Sequence, residues 1–143
     1  MFKVIQCNTQ TEIFDHLSIR HTVFVKEQNV SMEEEFDFLD RDAILLNGIL
    51  NNKVIATARI LKKDGFLKIG RVAVLKEYRK HQYGSFLMTE IEVLAKKIGY
   101  QELHLSSQVH AKPFYESLGY QSYGEEYYDA NILHVDMVKK IVG

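Results

Sequence analysis

Apolar and polar positions fall into short blocks along this chain, and each block predicts one element. Residues 2–6 are a brief apolar run, read as a first strand. Thr9 and Thr11 are candidate caps for a helix over about 12–25, with Ile13, Phe14, Leu17 and Phe24 on one face. Residues 26–42 are acidic and show little periodicity, which predicts a long loop with room for one helical turn. Residues 43–50 and 53–61 are strand-like and flank Asn51 and Asn52, a pair that tolerates φ > 0 and so closes a tight hairpin. Asp64 and Gly65 give a second hairpin signal before a strand over 66–74, whose later part is dense in β-branched residues. Residues 75–82 form a turn. From Tyr83 onward Phe86, Leu87, Ile91, Leu94 and Ala95 recur at helical spacing until Gly99 ends the helix. A strand over 101–106 follows, then a short helix over 111–118 with Pro113 in its first turn and Gly119 as its stop. Strands over 120–128 and 132–139, joined near 129–131, complete the chain.

The order β–α–β–β–β–α–β–α–β–β predicts one α+β domain over 1–143. Its expected centre is a twisted, mostly antiparallel sheet of about six to seven strands, with helices on both faces. The strands over 66–74 and 101–106 are joined through a helix, so they are expected to run parallel with a right-handed crossover. Ligands in such sheets bind outside the strand ends.

Composition narrows the function classes. A length of 143 residues suits one domain with a sizeable core. A formal net charge of −1 gives no reason to expect a nucleic-acid partner. No apolar run is long enough for a membrane span, and the first residues lack the apolar core of a signal peptide. The single cysteine, Cys7, excludes an intrachain disulfide and suits a reducing cytosol, so a cytoplasmic location is expected; Cys7 itself reads as a small apolar residue. The carboxylates of the acidic stretch, Glu27, Glu33, Glu34, Glu35, Asp37, Asp40 and Asp42, read mostly as a solvated face and lack the EF-hand glycine. The histidines show no metal-ligand spacing, and no metal is expected; His104, mid-strand, reads as structural.

The chemistry gathers where the strand over 66–74 runs into a basic loop with Lys76, Arg79, Lys80 and His81, which opens the helix at Tyr83. The first turn of a helix carries unpartnered N–H groups and partial positive charge. Successive N–H groups ahead of it make a concave anion site. Gly84 admits a ligand close to the backbone, and Arg79 and Lys80 add mobile charge, so the loop suits a pyrophosphate; otherwise it is a charged surface loop.

Arg79, Lys80, His81, Gln82, Tyr83 and Gly84 resemble the Arg/Gln-x-x-Gly-x-Gly/Ala loop of the GNAT superfamily of acyl-CoA N-acyltransferases. Phe114, Tyr115, Glu116, Ser117, Leu118, Gly119 and Tyr120 resemble that family's Phe-Tyr-x-x-x-Gly-Phe/Tyr stretch. The element order, over nearly the whole chain, is similar as well. Val23 to Gln28, the spacing Glu35-x-Asp37-x-x-Asp40, Ser106 to Gln108, and Ile132, Leu133, His134 and Met137 resemble a narrower branch containing the bacterial ElaA and YjcF proteins. One departure stands out: the family's first loop glycine is Gln82 here, which weakens CoA binding if the position needs a glycine conformation and is harmless if it belongs to the first helical turn; the second case is favoured, because Gly84 is retained.

The resemblance implies transfer of the acetyl group of acetyl-CoA to a primary amine of a small molecule, of amino acid, amino sugar or polyamine type. It implies that the N–H groups of Gln82, Tyr83, Gly84 and Ser85 hold the diphosphate, with Arg79, Lys80 and His81 near it and Ser106 and Phe114 also on the cofactor. It implies that the backbone around Val72, Ala73 and Val74 polarises the thioester carbonyl and that Tyr115, otherwise a core aromatic, is the general acid. Glu27 and His134 are the candidate bases; Glu27 could equally bind the substrate ammonium. Arg20, Arg59 and Arg71 stand apart, and Arg59 or Arg71 either clamps a substrate carboxylate or lies on a solvated face. The other readings are a non-catalytic acyl-CoA sensor and an interaction protein. The partners expected are acetyl-CoA and an amine, with no membrane or nucleic acid, and the chain is expected as a monomer or homodimer.

Overall fold

The computed structural model describes residues 1–141. Strand β1 (Phe2–Gln6) leads into α1 (Gln10–Arg20), which begins in a capping box. Thr9 Oγ1 accepts from the Glu12 N–H at 3.1 Å, and Glu12 Oε1 accepts from the Thr9 N–H at 3.0 Å. A π-helical turn (His21–Glu27) continues it, then a single turn α2 (Met32–Glu35). Strands β2 (Ile44–Leu50), β3 (Lys53–Lys62) and β4 (Leu67–Val74) follow as hairpins. Asn51 and Asn52 take φ of 49° and 67°, the left-handed pair that matches the twist of a two-residue hairpin. Helix α3 (Tyr83–Lys97) crosses to β5 (Glu102–Gln108), and α4 (Lys112–Ser117) precedes the hairpin of β6 (Gln121–Asp129) and β7 (Ile132–Lys140).

The seven strands form one sheet in the order β1-β2-β3-β4-β5-β7-β6. Only β4 and β5 pair in parallel; the other pairs are antiparallel. Successive residues of a strand face opposite sides. On β2, Asn47 donates from Nδ2 to the Glu12 carbonyl of α1 at 3.0 Å. Its neighbour Gly48 faces the other way, where a Cβ would lie 2.6 Å from the Phe2 ring. That ring packs on Tyr83 of α3 at 5.0 Å between centroids. So α1 and α3 cover opposite faces, and Gly48 lets Phe2 lie across β2 beneath α3.

The expected inner face of the first helix is corrected. Ile13 and Phe14 are 38% and 68% exposed, while His16, Ile19, Arg20 and Val23 are buried. These four also recur at helical spacing, but two are polar, so hydrophobicity alone selects the wrong stripe. Cys7 is half-buried, and burial with the nearby Glu12 and Asp15 pushes its thiol up to about 11, as suits a residue with no nucleophilic role.

His16 is neutral by design of its surroundings. Its Nδ1 lies 3.1 Å from the Leu46 carbonyl and 3.2 Å from Asn47 Oδ1, both acceptors, so Nδ1 carries the proton; Nε2, 3.3 Å from Arg20 Nη1, accepts. Burial, then the Arg20 charge, lowers its pKa to about 4. The unfolded chain therefore binds one proton more between about pH 6.5 and 4. Stability is expected to be complete above that window and to fall on acidification through it, by up to ~1.4 kcal/mol per pH unit. Urea unfolding at stepped pH checks this; a midpoint that stays flat down to about pH 5 would contradict it.

Candidate active site

The sheet opens between β4 and β5. Their ladder runs only from Leu67, opposite Leu103, to Ile69, opposite Leu105. Beyond it β4 keeps pairing with β3 but its other edge is free. The cause is a bulge. Arg71 takes φ of 49°, the register against β3 shifts between Thr57 and Arg59, and Thr57 Oγ1 donates to the Arg71 carbonyl at 2.9 Å. Such an insertion bends a strand and re-aims its side chains. A cavity of about 840 Å³ occupies the fork.

The fork collects many of the residues singled out in the sequence. Val72, Ala73, Val74, Arg79, Ser106, Tyr115, Glu27 and His134 all line this one cavity. Lys80, His81, Gln82, Tyr83, Gly84, Ser85 and Phe114 do not line it; they form the loop, the start of α3 and its neighbour α4. Gly84 packs closely there: a Cβ on it would press on the Phe114 ring at 3.3 Å and touch Val74 at 4.0 Å. That close approach brings the amide end of α3 against β4 and α4.

Gln82 departs from the reading that placed it within the first helical turn. It is the cap residue of α3 at φ 68°, and Lys80 takes the same φ. Gln82 thus adopts the glycine-like conformation itself, at a cost of roughly 1–2 kcal/mol for a residue with a Cβ. Its side chain is exposed, so the extra bulk points away from packed atoms.

Arg79 and Glu27 occupy one another. Arg79 Nε donates to the Val74 carbonyl at 2.8 Å, and Nη1 and Nη2 donate to the Glu27 carboxylate at 2.6 and 2.8 Å. Arg79's hydrogen bonds hold the Glu27 carboxyl below the usual carboxylate range. Glu27 is thus tied up by a guanidinium, and Arg79 braces the end of β4 instead of extending freely from the loop. His134 is better placed. Its Nδ1 lies 2.7 Å from the Ile132 carbonyl, which can only accept, so Nδ1 carries hydrogen and the lone pair of the neutral ring is on Nε2. The imidazole stacks on Tyr127. Asp136 Oδ1 accepts from the Tyr127 hydroxyl at 2.5 Å, and the Ser106 hydroxyl bonds to Tyr127 in turn. With Tyr127 donating to a carboxylate, Ser106 is the donor to Tyr127, and its lone pairs are left for the cavity. Tyr115 is buried, packed edge-on against Phe114 and Tyr120, and burial pushes its phenol up to about 12. His104 bonds to Tyr123 and Glu102.

The largest departure from expectation is a set of largely buried ion pairs, of which Glu35, Asp37, Arg59 and Arg71 line the cavity. Arg20 Nε pairs with Glu35 Oε2 at 2.8 Å and Nη1 with Asp40 Oδ1 at 2.6 Å. Arg59 meets Asp37 through both Nη atoms, at 2.8 and 3.1 Å, and Asp40 at 3.3 Å. Arg71 reaches Glu35 at 2.9 Å and Asp37 at 3.1 Å. Glu35, Asp37 and Asp40 are therefore not a solvated face, although Glu33, Glu34 and Asp42 are exposed as expected. Nor is Arg59, 4% exposed, on the solvated side of its strand. Burial raises Glu35 against its arginine partners. Burial would also raise Asp37, but the hydrogen bonds of Arg59, one from the Leu39 N–H, and the Arg71 charge outweigh it and hold the carboxyl at about 2. The signal for this cluster was the Glu35-x-Asp37-x-x-Asp40 spacing taken with three arginines in otherwise apolar elements. Among the described residues no group of His, Cys, Asp and Glu could hold a metal ion, and no helix is long and apolar enough to cross a membrane.

Comparison with known proteins agrees with this geometry. Residues 8–141 match the family model of the acetyltransferase (GNAT) domain. The uncharacterized N-acetyltransferase YjcF of Bacillus subtilis is 35% identical over 138 residues, 96% of this chain and 99% of that protein. Escherichia coli ElaA is 31% identical over 137 residues, 92% of this chain and 90% of ElaA, and its crystal structure superposes with a TM-score of 0.84 over 98% and 100% of the two chains. An acyl-CoA N-acyltransferase structure from Pseudomonas aeruginosa has a TM-score of 0.85 at 26% identity, covering 97% of this chain and 98% of that one. This chain belongs to the GNAT acetyltransferase superfamily, in the branch that includes ElaA and YjcF.

Proposed function

We propose that the protein transfers the acetyl group of acetyl-CoA to the primary amine of a small molecule by direct attack in the β4–β5 fork. Membership of the family makes it an acyltransferase in kind. The observation that carries the finer reading is that one cavity holds a free strand edge at Val72–Val74, a buried phenol and an imidazole with an open lone pair.

Acetyl-CoA supplies the acetyl group as an activated thioester. The N–H groups of Gln82, Tyr83, Gly84 and Ser85 receive its diphosphate, with Lys80 and His81 adjacent; the left-handed φ of Lys80 and Gln82 supports this by curving the loop into a nest of amides. An N–H on the free edge of β4, at Val72, Ala73 or Val74, points donor charge at the thioester oxygen as negative charge grows there. His134 Nε2 accepts the proton of the attacking amine, with Ser106 Oγ as a second acceptor in the same wall. Tyr115 donates a hydrogen bond to the departing sulfur. A phenol at about 12 stays protonated at any working pH, so this donor is always loaded. As a weaker acid than a thiol, it regains any proton it gives.

Thiol release from acetyl-CoA against a panel of amino acids, amino sugars, polyamines and peptide N-termini tests the reading. Release with at least one class, well above hydrolysis, is expected. Protection of the fold by CoA in thermal unfolding without release to any class would instead identify an acyl-CoA sensor, and no protection at all would point to an interaction protein.

A further inference from the structure

Arg71 is the one arginine of the cluster with a terminal nitrogen left unbonded, although Arg59 Nε is also buried without a hydrogen-bond partner. Arg20 bonds through Nε, Nη1 and Nη2 to Glu35, Asp40 and His16. Arg59 has both Nη atoms on Asp37 and Asp40. Arg71 bonds through Nη2 alone, to the carbonyls of Glu34 and Glu35 at 3.2 and 3.0 Å and to Asp37 Oδ2 at 3.1 Å, while Nε faces Glu35 Oε2 at 2.9 Å. Nη1 has no partner among the described residues. Nε is fully buried, but the side chain as a whole is 22% exposed and lines the cavity.

The backbone is arranged to present this group. Arg71 occupies a left-handed bulge that a glycine would fill at less cost, and non-glycine strain of this kind persists where the surroundings enforce it. Here the enforcing contacts are the Thr57 hydroxyl on its carbonyl, the three acceptors on Nη2 and the ion pair of Nε with Glu35. The guanidinium is thereby fixed in rotation, with one terminal nitrogen turned to open space beside the free edge of β4. Arg20, Arg59 and Arg71 are balanced by Glu35, Asp37 and Asp40, so the cluster is neutral in itself. Beyond it the cavity wall carries Lys68 on the same strand and the carboxylates of Glu34 and Asp129. A wall with both signs of charge and a fixed, unfilled N–H donor complements a small zwitterion.

We propose that Arg71 Nη1, with Lys68, receives the carboxylate of the acceptor, so that the amine acetylated is that of an amino-acid-type molecule and not of a polyamine or amino sugar. The role of the amine rests on the acetyl-transfer reading above; the carboxylate subsite does not, and can be read without turnover.

The test is calorimetric titration of the protein, with and without CoA, using N-acetylglycine, N-acetylleucine and N-acetylphenylalanine and the primary amide of each. The acids are expected to bind about 10- to 100-fold more tightly than their amides, the range of one to two charge-assisted hydrogen bonds. Arg71→Gln is expected to remove the difference. Because that change also removes one of the two arginine partners of Glu35 and of Asp37, Lys68→Gln on the exposed side of the wall gives a second variant, expected to weaken the acids about 3- to 10-fold and the amides not at all. Equal affinity for acids and amides in the unaltered protein, or binding of neither, would overturn the subsite. Thiol release to polyamines or amino sugars but not amino acids would overturn it while leaving acetyl transfer intact. Acid-selective binding without thiol release to any amine would leave the subsite standing and remove acetyl transfer.

Discussion

Tyr115→Phe is expected to lower kcat about 100-fold while CoA binds as before. The substitution removes one oxygen and leaves the ring, whose edge-on contacts with Phe114 and Tyr120 fix α4 against the core. The ring is buried, so the aromatic packing that positions Phe114 beside Gly84 survives. What the variant lacks is the hydroxyl proposed to donate to the departing sulfur. The diphosphate loop lies on a different element, at the start of α3, and has no contact that the hydroxyl supplies. Because the phenol is pushed up to about 12, its own ionisation does not shape the rate between neutral and mildly alkaline pH, and the deficit of the variant is expected to be constant over that range. Steady-state kinetics with saturating amine, together with CoA titration, measure both parts. An unchanged kcat would exclude Tyr115 from the chemistry; a matched loss of CoA affinity would make its role structural.

Arg20→Gln is expected to destabilise the fold by about 3–5 kcal/mol, the cost of removing the fully buried partner of an ion-pair network and leaving Glu35 and Asp40 each with one arginine instead of two. Total stability for such a domain is roughly 5–15 kcal/mol, so the variant is expected to be near the edge of folding. Arg20 is fully buried and holds Glu35, Asp40 and His16 together from α1. Arg20→Lys keeps the charge but offers one nitrogen where three are used, and is expected to recover only a part. Arg20 fastens the acidic segment between α1 and β2 to α1, while Arg59 and Arg71 fasten it to the sheet, so loss of Arg20 is also expected to loosen the wall beside Arg71. Urea unfolding gives the free energies. A cost below about 1 kcal/mol, the range of exposed pairs, would contradict the account.

Much of the architecture is written locally. The hairpin residues Asn51 and Asn52 announce their φ, the capping box at Thr9 announces α1, and Pro113 and Gly119 bracket α4. The family motifs fall at the fork and beside it. What local pattern does not carry is pairing across the chain. Arg20, Arg59, Glu35, Asp37 and Asp40 look like solvent residues until their charges are seen to cancel in one place, and that requires the fold. The same blindness misassigns the inner stripe of α1, where His16 and Arg20 are the buried members. Gln82 misleads for a different reason: a residue with a side chain can occupy the left-handed cap when the loop on one side and Gly84 on the other enforce it. The bulge at Arg71 has no sequence mark either, since the strained residue is the one after Gly70. The length of the parallel β4–β5 ladder, which creates the cavity, is a property of that bulge and of the crossover, not of either strand alone.

A crystal structure of the protein with CoA tests the central claim most directly. The account predicts the diphosphate within hydrogen-bonding distance of the backbone N–H groups of Gln82, Tyr83, Gly84 and Ser85, and the sulfur in the fork near Tyr115 and the free edge of β4. A cofactor lodged elsewhere, or that amide nest left vacant at saturating CoA, would contradict it.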